Sequence, residues 1–238
     1  MHEGHRVGAV IPAAGEGVRM GAAGPKQFLE LEGKPVVAWA LEQFQNTPEV
    51  DAIVIATGGS LITKMEGIVA GSNCPKVSAV VAGGEHRQDS VRNGLRALDR
   101  EGVGIVLIHD GVRPFIGPEL IRSVLAGLSK ADAAIAAMPA RETVKLSNGG
   151  AIVATTPRRE DVWIAQTPQA FRYSDLCRAF ERAASDGFLA TDEAGLVERM
   201  GMKVALVKGS WENIKITSPE DLDLARMIAR RRMAHTPY

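Results

Sequence analysis

The sequence predicts an α/β protein: a mostly parallel sheet flanked by helices, with a β-arm projecting from it. Three observations lead there. Short apolar, β-prone runs alternate with amphipathic segments along most of the chain, which is the pattern of βαβ units. Hydrophobic residues make up 45 % of the 238 residues, enough for a substantial core. The alternation breaks once, at about Arg141, where two short β-prone pieces flank a turn signal.

The elements follow in order. "RVGAVIPA", "DAIVIAT", "KVSAVVAG", "GIVLIHD" and "ADAAIAAMP" each read as a strand buried on both faces. Between them lie "VVAWALEQF", "LITKMEGIVA", "QDSVRNGLRALD" and "PELIRSVLAGLSK", all helical in pattern. In the third, Val91, Leu95 and Leu98 share one helical face. In the fourth, Pro118 suits the first turn. "SNGG" inside "RETVKLSNGGAIVATTPRREDVW" is a hairpin signal. A structureless loop of about 20 residues is unusual in a compact domain, so residues 141–162 read as a β-arm. Helical patterns return at Tyr173–Asp186 and Thr191–Met200, followed by a strand "KVALVKG" and a short strand "NIKI". A terminal helix opens at "TSPEDLDLARMIARR", with Ser218 as N-cap, Pro219 at the first helical position and acids in the first turn. Without repeats or low-complexity linkers, residues 1–238 are expected to form a single domain.

Composition narrows the function. Lys+Arg and Asp+Glu both total 28, for a net charge of zero. That weighs against a protein that coats nucleic acid or membranes, though not against a local basic pocket. Aromatics at 5 % also weigh against base-stacking platforms. The two cysteines, Cys74 and Cys177, are far apart without metal-type spacing and read as reduced thiols. No apolar run approaches the roughly 18 residues of a membrane span, and no signal peptide is legible. A cytoplasmic protein is expected.

The stretch "VGAVIPAAGEGVRMGAAGPKQF", Val7 to Phe28, carries the first chemical signal. Ligands of parallel α/β sheets bind beyond the carboxyl ends of the strands. Ala13, Ala14, Gly15 and Gly17 have little or no side chain, so backbone N–H groups can approach an anion. Arg19 and Lys26 then supply charge, which favours a phosphate site over a merely flexible connection. No "GK[ST]" follows, so this is not a lysine-containing P-loop. "GEGVRMG" is one residue too long for the dinucleotide fingerprint, and the second strand ends in Thr57 rather than an acid. Asp110 closes "GIVLIHD" where the same crevice opens; an acid there suits ribose hydroxyls or the hydration shell of Mg²⁺. Arg113 either binds substrate or ties down its loop, and His109 reads as a packed histidine rather than a base. Lys215 lies between Ile214 and Ile216, unlike a solvated surface lysine. Arg230–Arg232 end the last helix, where cations complement its dipole.

"PAAGEGVRMG…PKQF", "GGEHRQDSVRNGL", "HDGVRPF", "AQTPQAF", "TDEAGLVE" and "NIKITSPEDL" occur in that order. Together they cover nearly the whole chain, which resembles the 2-C-methyl-D-erythritol 4-phosphate cytidylyltransferases of the non-mevalonate isoprenoid pathway, in their monofunctional form. The resemblance implies a Rossmann-like nucleotidyltransferase sheet. It also implies transfer of CMP from CTP to methylerythritol phosphate with release of pyrophosphate, Mg²⁺ as cofactor, and a homodimer. It places Arg19 and Lys26 on the triphosphate and Lys215 near the α-phosphate. Gly15 joins the nucleotide loop; Gly84, Glu85 and Ser90, beside Ala13 and Ala14, would read cytosine, with aspartate common in relatives where Glu85 stands. Ser90 also suits a helix cap. Thr143 and Arg159 would bind the sugar phosphate from the arm of a neighbouring subunit. Arg158 stands where relatives often have aspartate, and the spacing to Trp163 favours Arg159 for the contact. Thr167 and Thr191 offer hydroxyls to the polyol, Thr191 also serving as N-cap.

The implied nucleophile is a phosphate monoester, with a second pKa of about 6, so it is already largely dianionic at neutral pH. No general base is required; catalysis would rest on positioning and fixed positive charge. Two rivals are a ribitol-phosphate cytidylyltransferase, which shares the "PKQ" loop and "NIK", and a non-catalytic nucleotide-binding regulator. "TDEA" and "ETVK" favour the methylerythritol group, and none of the three cations is lost.

Overall fold

The computed structural model describes residues 1–15 and 24–235. Its first half contains β1 (Val7–Ala13), β2 (Glu30–Leu31), β3 (Lys34–Pro35), α1 (Val36–Gln45), β4 (Ala52–Thr57), α2 (Ile62–Gly71), β5 (Val77–Ala82), α3 (Arg87–Leu98) and β6 (Ile105–Ile108). The rest contains α4 (Pro118–Gly127), β7 (Ala133–Pro139), β8 (Leu146–Ser147), β9 (Val153–Thr155), β10 (Trp163–Arg172), α5 (Tyr173–Asp186), α6 (Glu193–Glu198), β11 (Val204–Lys208) and α7 (Pro219–His235).

A seven-stranded sheet of order β11-β7-β10-β6-β1-β4-β5 organises these elements. β1 is parallel to β4 on one side and to β6 on the other. The chain first builds outward through β4 and β5, then returns to the far side of β1 with β6. The strand order therefore reverses between β1 and β6, and that is where α/β sheets open a ligand crevice. β10 runs antiparallel between β6 and β7, and β11 is parallel to β7.

Helices cover both faces. On one, Val37, Leu41 and Phe44 of α1, Met65 of α2 and Ile121, Val124 and Leu125 of α4 pack on the sheet. On the other, Val91, Leu95 and Leu98 of α3 join Leu176 and Phe180 of α5 and Leu196 and Val197 of α6. α3 lies unusually close to β1: a Cβ on Gly94 would fall 2.4 Å from Val10 Cγ1. This approach sets the first turn of α3 beside the end of β1.

Several expectations are corrected. β5 is only partly buried, because it is a sheet edge with one neighbour. "NIKI" forms no strand; Ile216 N–H donates to Val112 O at 2.9 Å, and Ile216 packs beside Ala225 and Ala229 of α7. α6 begins at Glu193, and its N-cap is Asp192 rather than Thr191, with Asp192 Oδ1 accepting from Gly195 N–H at 3.1 Å. Ser218 does accept from Asp221 N–H, at 3.4 Å. β8 and β9 pair antiparallel as the hairpin inside residues 141–162. Cys74 and Cys177 are free thiols. Among the described residues no helix is long and apolar enough to cross a membrane.

Candidate active site

The crevice at the strand reversal is a cleft of about 170 Å³. Ala13, Ala14, Gly15, Lys26, Gly84, Glu85, Ser90, Asp110 and Lys215 all line it, although they come from five separate stretches of sequence. Arg19 and Gly17 lie outside the described residues.

Hydrogen bonds fix each wall. The end of β1 is pinned at Ala13 O, which accepts from buried Gln27 Nε2 at 2.7 Å and from Thr57 Oγ1 at 3.2 Å. The loop after β5 is drawn in by Gly83 N–H donating to Thr57 O at 2.6 Å. A Cβ on Gly83 would lie 2.5 Å from Ala14 Cβ and 2.7 Å from Ser90 Oγ, so glycine is required for the two loops to meet. Ser90 does not cap α3, which His86 precedes; its hydroxyl accepts from Gly84 N–H at 3.1 Å and donates to His86 O at 3.3 Å. The hydroxyl thus shapes the 84–86 backbone.

Asp110 is the electrostatic centre. Only 5 % exposed, it pairs with Arg87 Nε at 2.8 Å, Lys215 Nζ at 2.8 Å and Arg113 Nε at 3.7 Å. Burial alone would raise its carboxyl, but Arg87, Lys215 and Arg113 outweigh burial and hold it far below the usual carboxylate range. Arg87 in turn donates to Glu193 through one nitrogen, Nη1, at 2.8 and 2.9 Å from the two carboxylate oxygens. Burial works against the Arg87 charge, yet Glu193 and Asp110 raise its pKa above the ordinary arginine value. Burial pushes the Glu193 carboxyl up against the pull of Arg87.

Beneath Asp110 lies His109, fully buried. Its Nε2 is 3.1 Å from Arg113 O, an acceptor, so Nε2 carries the proton. Nδ1 then accepts from Thr167 Oγ1 at 3.0 Å, and Thr167 Oγ1 accepts from Asp110 N–H at 3.1 Å. Burial lowers the His109 pKa to about 4, which suits a neutral structural ring. Thr167 is 4 % exposed and its hydroxyl serves this scaffold through both contacts. Arg113 ties down its loop: Nη1 donates to Asn213 O at 2.7 Å. Asn213 Nδ2 donates to Thr167 O at 2.8 Å, and this anchor holds Lys215 over the cleft without strand pairing.

Thr143 and Arg159 are exposed on the arm, Arg159 Nη1 donating to Arg141 O at 3.5 Å, and neither lines the cleft. Arg158 pairs with Glu160. Thr191 is exposed, next to the capping Asp192. Arg87, Glu193 and Gln27 were not singled out from the sequence. Each lies inside a quoted motif, but an arginine beside other polar residues carries no sign that it will be buried between two carboxylates. Among the described residues no three His, Cys, Asp or Glu side chains cluster to hold a metal ion.

A crevice at a sheet reversal, walled by a small-residue loop, two lysines and a buried carboxylate, places the chain in the class of α/β proteins built to take an anionic ligand. Comparisons with known proteins narrow the class. The family model of 2-C-methyl-D-erythritol 4-phosphate cytidylyltransferase (IspD) matches residues 7–231, and the chain belongs to that family. It is 50 % identical over 222 residues to the protein of that name from Geotalea uraniireducens, covering 92 % of this chain and 95 % of the relative. It is 45 % identical to the one from Geobacter metallireducens, covering 94 % and 98 %. Among solved structures, 4-diphosphocytidyl-2C-methyl-D-erythritol synthase from Anaerococcus prevotii superposes with a TM-score of 0.84 at 32 % identity, covering 96 % of this chain and all of the other. The Thermus thermophilus enzyme superposes with a TM-score of 0.75 at 32 % identity, covering 94 % and 99 %.

Proposed function

We propose that this cleft carries out the reaction of the family. CMP passes from CTP to 2-C-methyl-D-erythritol 4-phosphate, giving 4-diphosphocytidyl-2-C-methyl-D-erythritol and pyrophosphate for isoprenoid precursor synthesis. The observation that carries this reading is the convergence of Lys26 and Lys215 on one cleft with Ala13–Gly15, the 84–90 loop and Asp110.

The sugar-phosphate oxygen forms a bond to the α-phosphorus of CTP as the bond to the pyrophosphate oxygen breaks. The attacking phosphate needs no base at neutral pH, being largely dianionic with a second pKa of about 6. Neutral His109, buried under Asp110, is consistent with that economy. The difficulty is bringing two anions together, and Lys26, Lys215 and Arg19 supply the opposing charge. Ala13, Ala14 and Gly15 leave backbone N–H groups open to the phosphates, while Gly84, Glu85 and Ser90 face the base. Asp110 meets the ribose or the metal's water shell.

Mg²⁺ suits this cleft as an ion carried mainly by the CTP phosphates. Asp110 offers one carboxylate rather than a protein cage, and Mg²⁺ is ordinarily held by one or two carboxylates together with substrate phosphates. Bound there, it would neutralise the triphosphate and polarise the reacting phosphorus. The arm, residues 141–162, carries Thr143 and Arg159 to the sugar phosphate of a second copy. Exposed Ile152, Val153 and Leu146 on its hairpin support a partner surface. The enzyme acts as a cytoplasmic homodimer.

Pyrophosphate release from CTP with methylerythritol phosphate, compared with ribitol phosphate, tests the reading. Release with the first and little with the second is expected; the reverse, or none with either, overturns it.

A further inference from the structure

Lys215 does not stand alone over the cleft. Its Nζ is 2.8 Å from Asp110 Oδ2; the other oxygen of Asp110 accepts from Arg87 Nε at 2.8 Å; and Arg87 Nη1 is forked by Glu193 at 2.8 and 2.9 Å. The series Glu193, Arg87, Asp110, Lys215 alternates in sign and runs from the deep interior to the cleft wall. Glu193 is only 1 % exposed and is not a cleft-lining residue. Its backbone is fixed independently: Ala194 N–H donates to Gln169 Oε1 at 3.1 Å, and Gln169 Nε2 donates to Asp192 Oδ2 at 2.8 Å. The first turn of α3 is tied to the same region, with Gln88 bonded to Phe188 O at 3.1 Å and to Ala190 N–H at 2.9 Å.

We propose that Glu193 is a positioning residue for cytidylyl transfer: it fixes the Arg87 guanidinium on Asp110 so that Asp110 holds Lys215 on the reacting phosphate. This rests on the reading of the cleft as the cytidylyltransferase site. The physical case has two parts. A carboxylate at the mouth of a triphosphate site repels its ligand unless it is neutralised, and Arg87 neutralises Asp110 whenever Lys215 is drawn toward phosphate. An arginine this close to a triphosphate would itself swing onto the oxygens, and the Glu193 contact prevents that, because a planar guanidinium gripped at two nitrogens, Nε by Asp110 and Nη1 by Glu193, has one orientation. Arg87 also belongs to α3, which carries the base-reading loop at its N-terminus, so one side chain joins base recognition to Lys215.

The test is a double-mutant cycle read by pyrophosphate release at saturating substrates, using wild type, Glu193→Gln, Lys215→Ala and the double variant, each checked by thermal melting. Glu193→Gln is expected to lower kcat about 10- to 100-fold, the scale set by small misplacements of catalytic groups, while the KM for CTP changes little. In the Lys215→Ala background the same substitution should cost almost nothing, because the group it positions is gone. Partial recovery is expected with Glu193→Asp, which keeps the charge. Wild-type kcat in Glu193→Gln, or an equal loss in both backgrounds, overturns the positioning role. Should Glu193→Gln fail to fold, Arg87→Lys, which keeps the charge but has one nitrogen where two bridge Asp110 and Glu193, replaces it in the same cycle with the same two outcomes. Failure of the underlying reading looks different: wild type releases no pyrophosphate, or Lys215→Ala retains full kcat.

Discussion

Lys215 Nζ lies 2.8 Å from Asp110 Oδ2, and this pair joins the end of β6 to the segment before α7. The ammonium is thus placed in advance by a carboxylate that is itself neutralised from behind. An incoming triphosphate meets a lysine that has one position instead of many, which is how preorganised charge acts on a transition state.

Lys215→Ala and Lys26→Ala should each lower kcat with the fold intact, as removal of one preorganised donor costs on the order of 10²–10³ in rate. Turnover measured beside thermal melting checks this; near-wild-type turnover in either folded variant removes that lysine from the mechanism.

Chelation should abolish turnover and added Mg²⁺ should restore it, since the triphosphate carries about four negative charges and a divalent cation brings it to a reactive shape. Undiminished turnover in EDTA after dialysis would contradict the metal's role.

If the arm serves a second copy, two inactive proteins should complement each other. Mixing Lys26→Ala with Arg159→Ala leaves one intact site in each mixed dimer. Random exchange makes about half the dimers mixed, so roughly a quarter of wild-type activity returns under two-fold symmetry. Demonstrated subunit exchange without recovery would confine Arg159 to its own chain.

His109 makes stability fall in acid. Its pKa is lowered from 6.5 to about 4, so between those values the unfolded chain binds the proton and the folded chain does not. Stability is full above about pH 6.5 and declines as pH falls toward 4, by about 3 kcal/mol from this group. Denaturant melts from pH 7 to pH 4 should show a shallower decline for His109→Gln than for wild type. Parallel declines would assign the acid sensitivity to other groups.

The strands and most helices were legible because apolar runs and helical spacing are local signals, and Ala13, Ala14, Gly15 and Lys26 were legible as lining a cleft because small residues after a buried strand mark the carboxyl-end crevice. Lys215 was also flagged, by its isoleucine neighbours, although the extended segment that carries it is set by Asn213 and Arg113 rather than by a strand. What stayed hidden depends on distant partners. Thr167 reads as an available hydroxyl until Asp110 N–H and His109 Nδ1 claim it. Arg87 and Glu193 lie 106 positions apart in the chain, and no local pattern announces their meeting. β5 looks like a central strand because its composition does not say that it has a single neighbour.

The placement of β10 has a consequence for the chain as it leaves the ribosome. β10 fills the gap between β6 and β7, yet it is made after both of them and after the whole hairpin arm. Until Arg172 has emerged, the nascent protein has two unsatisfied strand edges at its centre instead of at its rims, where edges are normally kept short or covered. Synthesis therefore passes through a stage in which the β6-β1-β4-β5 half of the sheet can form while β7, whose other neighbour β11 is also still unmade, has no strand to pair with. A nascent chain arrested with residue 162 just emerged should present that stage to chaperones, and one arrested after residue 172 has emerged should present only the edge of β7 that awaits β11.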